Sequence, residues 1–168
     1  MHLLTVDQVE SFEADLGVPL PWAYRDHLLR VGVGAGPYYG LFGPAEVLAM
    51  SHDPAGMFPF TRQDAKRIYA DWLAWTQSPD PQGGGPSVRA MNVGGCILIC
   101  DQGHDGYTAL VTTGELLGTV WDFWAESGHW RPAGPAYRDS PHDLGPFPTF
   151  SAWYHPPQTG TPGIPRMS

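Results

Sequence analysis

The sequence predicts an α+β fold with N-terminal helices, an antiparallel β-meander after them and a short C-terminal helix. Three observations carry this. Apolar residues recur at helical spacing through the first part of the chain. After residue 86 the pattern changes to short apolar runs bounded by glycine and other turn residues, the mark of strands joined by tight turns. "TFSAWY", from Thr149, then returns to the spacing of an amphipathic helix.

Thr5 and Gln8 stand at capping-box spacing. Val6, Val9, Phe12 and Leu16 follow as one apolar stripe, with Gly17 at the stop. Pro21 suits the first position of a second helix, on which Tyr24, Leu28 and Val31 face one way before Gly32 ends it. The glycine-rich "GVGAGPYYG" is no phosphate loop, because it lacks the Gly-Lys-Ser/Thr ending and follows no strand. Pro44 begins a short helix through Met50, and Arg62 to Trp75 carries Ala65, Ile68, Tyr69 and Trp72 at helical spacing. "SPDPQGGGP", residues 78 to 86, is a loop by composition.

"SVRAMNV" and "GGCILIC" read as strands, and the second is continuously apolar, which predicts a place in the middle of the sheet. "GYTALVTT" and "LLGTVWDFW" follow as an antiparallel meander. Residues 126 to 148 have no clear period and read as loop, with room for an edge strand. Residues 1–155 form a single domain, and 156–168 read as a flexible tail.

The chain has 168 residues and a formal net charge of −8. Lys66 is the one lysine, and no Lys/Arg cluster exists, so nucleic acid and an anionic membrane are poor partners. A basic protein would gain from long-range attraction. Cys96 and Cys100 on one strand stand about 13 Å apart, too far for a disulfide. They read as buried thiols in a reducing compartment. The N-terminus turns acidic after four residues and is not a signal peptide, and no run approaches a membrane span. The expected location is cytoplasmic.

"CDQGHDGYTALVTTG", from Cys100, concentrates the polar chemistry. Asp101, Asp105 and Gly106 match positions one, five and six of a calcium loop, but Gly103 and Thr112 stand where two further oxygen ligands are required. A transition-metal site from Asp101, His104 and Asp105 lacks a second histidine nearby. The favoured reading is a hairpin loop with permissive backbone at Gly103 and Gly106 and aspartates capping free amides. No serine sits in a Gly-x-Ser-x-Gly turn, and burial should quench the cysteines. No catalytic residue, metal or cofactor is predicted. Among the aromatics, Trp72, Trp121 and Trp153 fall on core-facing positions, whereas Tyr38, Tyr39, Tyr107 and Trp130 fall in loops. Exposed Tyr and Trp beside Asp favour protein interfaces.

"VESFEADLGVPLPWAYRDHLLRVGVG", "LFGPAEV", "GGCILICDQGHDGYTALVTTGELLGTVWDF" and "FPTFSAWY" together resemble the SMI1/KNR4 family of the SUKH superfamily. The matching features include Thr113-Gly114 and the Gly118-Thr119-Val120-Trp121 strand. The resemblance covers residues 6–48, 93–124 and 147–154; residues 51–87 lie outside it. It implies an α+β fold in which the N-terminal helices pack on a twisted antiparallel β-sheet and a short C-terminal helix closes the chain, with no common catalytic centre. It also implies a non-catalytic protein-binding module, an immunity protein that neutralises a cognate bacterial toxin. The alternative is a regulatory or scaffold protein with an endogenous partner, after the fungal members linked to cell-wall synthesis. The expected partner is a basic toxin, a nuclease being one candidate. The expected contact residues are Tyr38, Tyr39, Asp101, Gln102, His104, Asp105 and Tyr107.

Overall fold

A computed structural model describes residues 2–34, 36–80, 87–134 and 143–154. The chain order is α1 (Val6–Leu16), α2 (Trp22–Arg30), α3 (Pro44–Met50), α4 (Arg62–Thr76), β1 (Val88–Arg89), β2 (Cys96–Gly103), β3 (Gly106–Val111), β4 (Val120–Trp124), β5 (His129–Pro132) and α5 (Phe150–Tyr154).

The predicted capping box forms. The Thr5 hydroxyl accepts from the Gln8 amide at 3.1 Å, and the Gln8 side chain accepts from the Thr5 amide at 2.9 Å. Val9, Phe12 and Leu16 are buried, but Val6 is 51% exposed. Val6 lies about 60° round the helix axis from Val9, on the far side from Phe12, so it falls off the rim of the buried arc. The Glu13 carboxylate accepts from the Leu20 amide at 2.7 Å and from Arg25 Nε at 3.1 Å, which fixes the turn from α1 into α2. Pro21 is the N-cap of α2 and Trp22 its first residue, one position later than the sequence suggests. Val31 caps α2 and is only half-buried.

The sheet has five antiparallel strands in the order β1-β5-β4-β3-β2. The continuously apolar β2 is therefore an edge strand, not a central one. Its composition has another cause: both of its faces are covered. Ile97 and Ile99 join the core formed with α1, α2, α3 and α5, whereas Cys96 and Leu98 join a second core with Phe58, Ala65, Ile68 and Trp121. The open edge of β2 is closed by the 41–42 backbone and the Ser51 side chain. Leu41 bridges Cys100, the Phe42 amide donates to the Ile99 carbonyl at 2.9 Å, and Ser51 Oγ accepts from the Leu98 amide at 3.0 Å.

Other boundaries shift. β1 keeps two residues of the predicted "SVRAMNV". β4 begins at Val120, because Leu116 is buried within the preceding turn while Leu117 stays 55% exposed. The segment read as loop contains β5, which is an interior strand between β4 and β1. Trp130 is accordingly 2% exposed rather than displayed on a loop. Trp121 and Trp153 are fully buried as predicted, but Trp72 is only half-buried. The 156–168 tail lies outside the described residues.

β1 and β2 are consecutive in the chain yet form opposite edges of the sheet. Four interstrand spacings amount to about 19 Å, and the seven peptide steps from Arg89 to Cys96 reach at most about 25 Å. The connection must cross one sheet face almost straight. Ala90 and Val93 show which face: both pack with the second core. The crossing ends at Gly95, where φ is +72° and an added Cβ would lie 2.3 Å from the Phe58 nitrogen and 2.4 Å from Thr113 Oγ1. Glycine is required here by both conformation and space. Gly95→Ala is expected to lower the unfolding free energy by at least about 2 kcal/mol, read by urea denaturation, since the backbone is strained and the colliding atoms belong to the scaffold.

A candidate protein-binding site at the hairpin end of the sheet

The β2–β3 turn places His104 and Asp105 at its centre with φ of +48° and +62°, after Gly103 at +85°. Positive φ at both central residues is the type I′ geometry, whose twist matches that of the flanking strands. The permissive backbone thus lies at Gly103 and at the two polar residues themselves. Gly106 is not in the left-handed region; there a Cβ would lie 3.2 Å from the Gly103 carbonyl and 3.5 Å from Trp124 Nε1, so its role is spatial.

The aspartates lock this end of the sheet. Asp101 Oδ1 accepts from the Gly103 amide at 2.7 Å. Asp105 Oδ2 accepts from the Glu126 amide at 3.0 Å, and the Asp105 carbonyl accepts from the Ala125 amide at 3.0 Å. The second pair of bonds ties the β2–β3 turn to the β4–β5 turn. Among the described residues, no three His, Cys, Asp or Glu side chains converge as metal ligands.

The two loops singled out in the sequence do meet. Tyr39 is 78% exposed, and its ring lies against Gly103, where an added Cβ would come within 3.3 Å of it. Tyr38, with φ of +55°, is half-buried against the first core. The Cys100 thiol donates to the Pro37 carbonyl at 3.4 Å and so anchors the tyrosine loop from beneath. Burial pushes both Cys100 and Cys96 up to about 12, which leaves them as neutral thiols with little nucleophilic character.

The predicted contact residues divide between the two sides of the sheet. Tyr107 pairs across strands with both Asp101 and Phe123, and Phe123 pairs with Trp130, so these four side chains form one row on the side of the second core. His104 is exposed at the tip, with Asp105 half-buried beside it. Gln102 turns to the opposite side. Its amide donates to Thr108 Oγ1 and to Asp122 Oδ1, both at 2.8 Å.

Asp122 is 6% exposed. Arg131 Nε lies 3.6 Å from its second oxygen, and the Arg131 guanidinium sits 5.0 Å from the Trp124 ring centre and 5.7 Å from that of Trp72. Burial raises the Asp122 carboxyl above its usual 3.8; Arg131, the Gln102 amide and the Gly134 backbone pull the other way without cancelling the effect. Asp122 was legible only as a charge inside an apolar strand, a placement that demands partners. Arg131, Trp124 and Phe123 carry no such local signal.

The SMI1/KNR4 family (SUKH-1) model matches residues 3–139, and the chain belongs to that family. The match includes the 51–87 stretch that the sequence resemblance did not reach. No curated protein and no solved structure matches the chain. Among the described residues, no helix is long and apolar enough to cross a membrane.

The Asp122 carboxyl gives a pH signature. Its folded value is raised, so its contribution to stability is greatest when it is protonated and is lost as pH rises from its unfolded value through its folded one. Asp122→Asn removes this loss. The stability of the variant relative to the parent should therefore rise with pH, beginning near ~4 and levelling off above the raised folded value, as read by urea denaturation across that range.

Proposed function

We propose that this chain is a non-catalytic protein-binding module of the immunity type, which neutralises a cognate toxin by direct association. The reading is supported above all by Tyr39. It is the most exposed of the tyrosines singled out in the sequence, and it stands on a loop braced against a locked hairpin. A large aromatic held in a preformed position loses little freedom on binding, which is what a tight inhibitor without a reactive group requires. Family membership agrees with such a module. Neither cysteine is activated as a nucleophile. With a net charge of −8, the partner is a basic toxin, and a nuclease fits that description. Tyr38, Tyr39, Asp101, His104, Asp105 and Tyr107 border the contact, with Gln102 holding the hairpin from behind. The work of neutralisation is done in the cytoplasm.

Co-expression with the product of the adjacent reading frame should relieve that product's toxicity. Failure to relieve it, with both proteins folded and present, would overturn the reading. Tyr39→Ala should weaken the complex by at least about tenfold in titration calorimetry while leaving the unfolding midpoint unchanged, because the side chain supports contact rather than core.

A further inference from the structure

Residues 37–40 form one β-turn, closed by the Gly40 amide donating to the Pro37 carbonyl at 3.0 Å, with Tyr38 and Tyr39 at its two corners. Pro37 and Gly40 are buried, and Tyr39 is carried outward. A turn closed this way moves as a unit. The Gly34 amide donates to the Leu41 carbonyl at 3.0 Å, and Leu41 is bridged to Cys100, so the loop is pinned at its base. On the incoming side the turn is joined to Gly36, whose φ is +129°. Glycine has the freest backbone of any residue, so this is where the turn can pivot.

An aromatic ring from α5 stands in the way of that pivot. An added Cβ at Gly36 would lie 2.7 Å from Tyr154 Cε2 and 3.5 Å from its Cζ, so the ring is seated directly on the glycine. Tyr154 is itself held. It is buried, stacked on Phe150 with ring centres 5.8 Å apart, and edge to face with His27 at 4.3 Å. At the other end of the turn the Tyr39 ring meets Gly103. Two aromatic–glycine contacts therefore bracket the turn, one made on it by α5 and one made by it on the hairpin.

We propose that Tyr154 is a positioning residue for the binding surface: its ring blocks the pivot at Gly36 and so keeps Tyr39 against Gly103. The proposal rests on the binding reading above and deepens it, by giving the short C-terminal helix a part in a contact surface that it does not itself form. The loop is then ordered when the chain folds and not when the partner arrives.

The test uses the full chain, and its first part needs no partner. Nuclear Overhauser effects between the Tyr39 ring and the Gly103 α-protons report the seated loop. They should be present in the parent and in Tyr154→Phe, which keeps the ring on Gly36, and lost in Tyr154→Leu, which does not. Val9→Ala controls for a merely loosened core, because Val9 belongs to the same core but sits on α1. It should lower the unfolding midpoint and leave the Overhauser effects in place. Their persistence in Tyr154→Leu, or their loss in Val9→Ala as well, would overturn the proposal. If Tyr154→Leu does not fold, Gly36→Ala puts the same question from the loop side: the added methyl displaces the loop from the ring, the same loss is expected, and its absence overturns the proposal equally.

Affinity for the adjacent gene product is measured separately by titration calorimetry. Tyr154→Leu should weaken it by about five- to tenfold, the equivalent of ordering one large side chain and its loop on binding. In the Tyr39→Ala background it should add nothing, because the two residues act through one contact. Unchanged affinity with the Overhauser effects lost would overturn the role of Tyr154 in binding. A parent that does not neutralise overturns the immunity reading instead, and the Overhauser result still decides whether Tyr154 holds the loop.

Discussion

The short connection between the two edges of the sheet is the constraint on which the rest depends. β1 and β2 are neighbours in sequence and opposite edges in space, so the chain between them lies across the sheet with little slack. That crossing fills one face, and α4 with Phe58 and Phe60 covers what it leaves. The other face takes α1, α2, α3 and α5. A layer of helices on both sides would ordinarily suggest a parallel sheet, since crossover helices produce it. Here the strands are antiparallel, and the second layer comes from one helix and one extended connection. At the hairpin end of the crossed face Tyr107 and Phe123 are left half-buried, over a buried Trp130.

The hairpin end is stiff because its polar groups are occupied. Asp101 and Asp105 satisfy amides of their own turn and of the next. Gln102 ties the far side of β2 to Thr108 and Asp122. Arg131 partly offsets the burial of the Asp122 carboxyl while lying against two indoles. A half-satisfied network of this kind would soften the site; this one joins all four long strands. The hairpin surface is thus held from behind by hydrogen bonds, and Tyr39 rests on glycine backbone rather than on another mobile side chain.

Much of this was readable from local chemistry. Capping at Thr5, the stop at Gly17 and the α4 stripe through Ala65 and Ile68 depend on residues within a few positions of one another. The hairpin between Asp101 and Tyr107 was likewise visible from its turn residues. Pairing order was not. An apolar run such as "CILIC" reports that both faces are covered and is silent about how many strands lie beside it. β5 was legible at most as an edge strand because four residues with one proline show no period, and its partners are supplied by β4 and by the two residues of β1. The division of the site between two sides of the sheet follows from the pairing register, with an irregularity between Leu98 and Cys100, and no spacing rule announces it.

The placement of β1 and α4 also orders events during synthesis. Both precede the meander in sequence, yet each makes its largest sheet contact at β5, the last strand. The first core likewise draws Phe150 and Trp153 from α5. A nascent chain emerging from the ribosome can form β2, β3 and β4 by local pairing and dock α3 on β2, but the first core lacks its α5 side chains until residue 154 is free. Most of the polypeptide is therefore translated before the native fold closes.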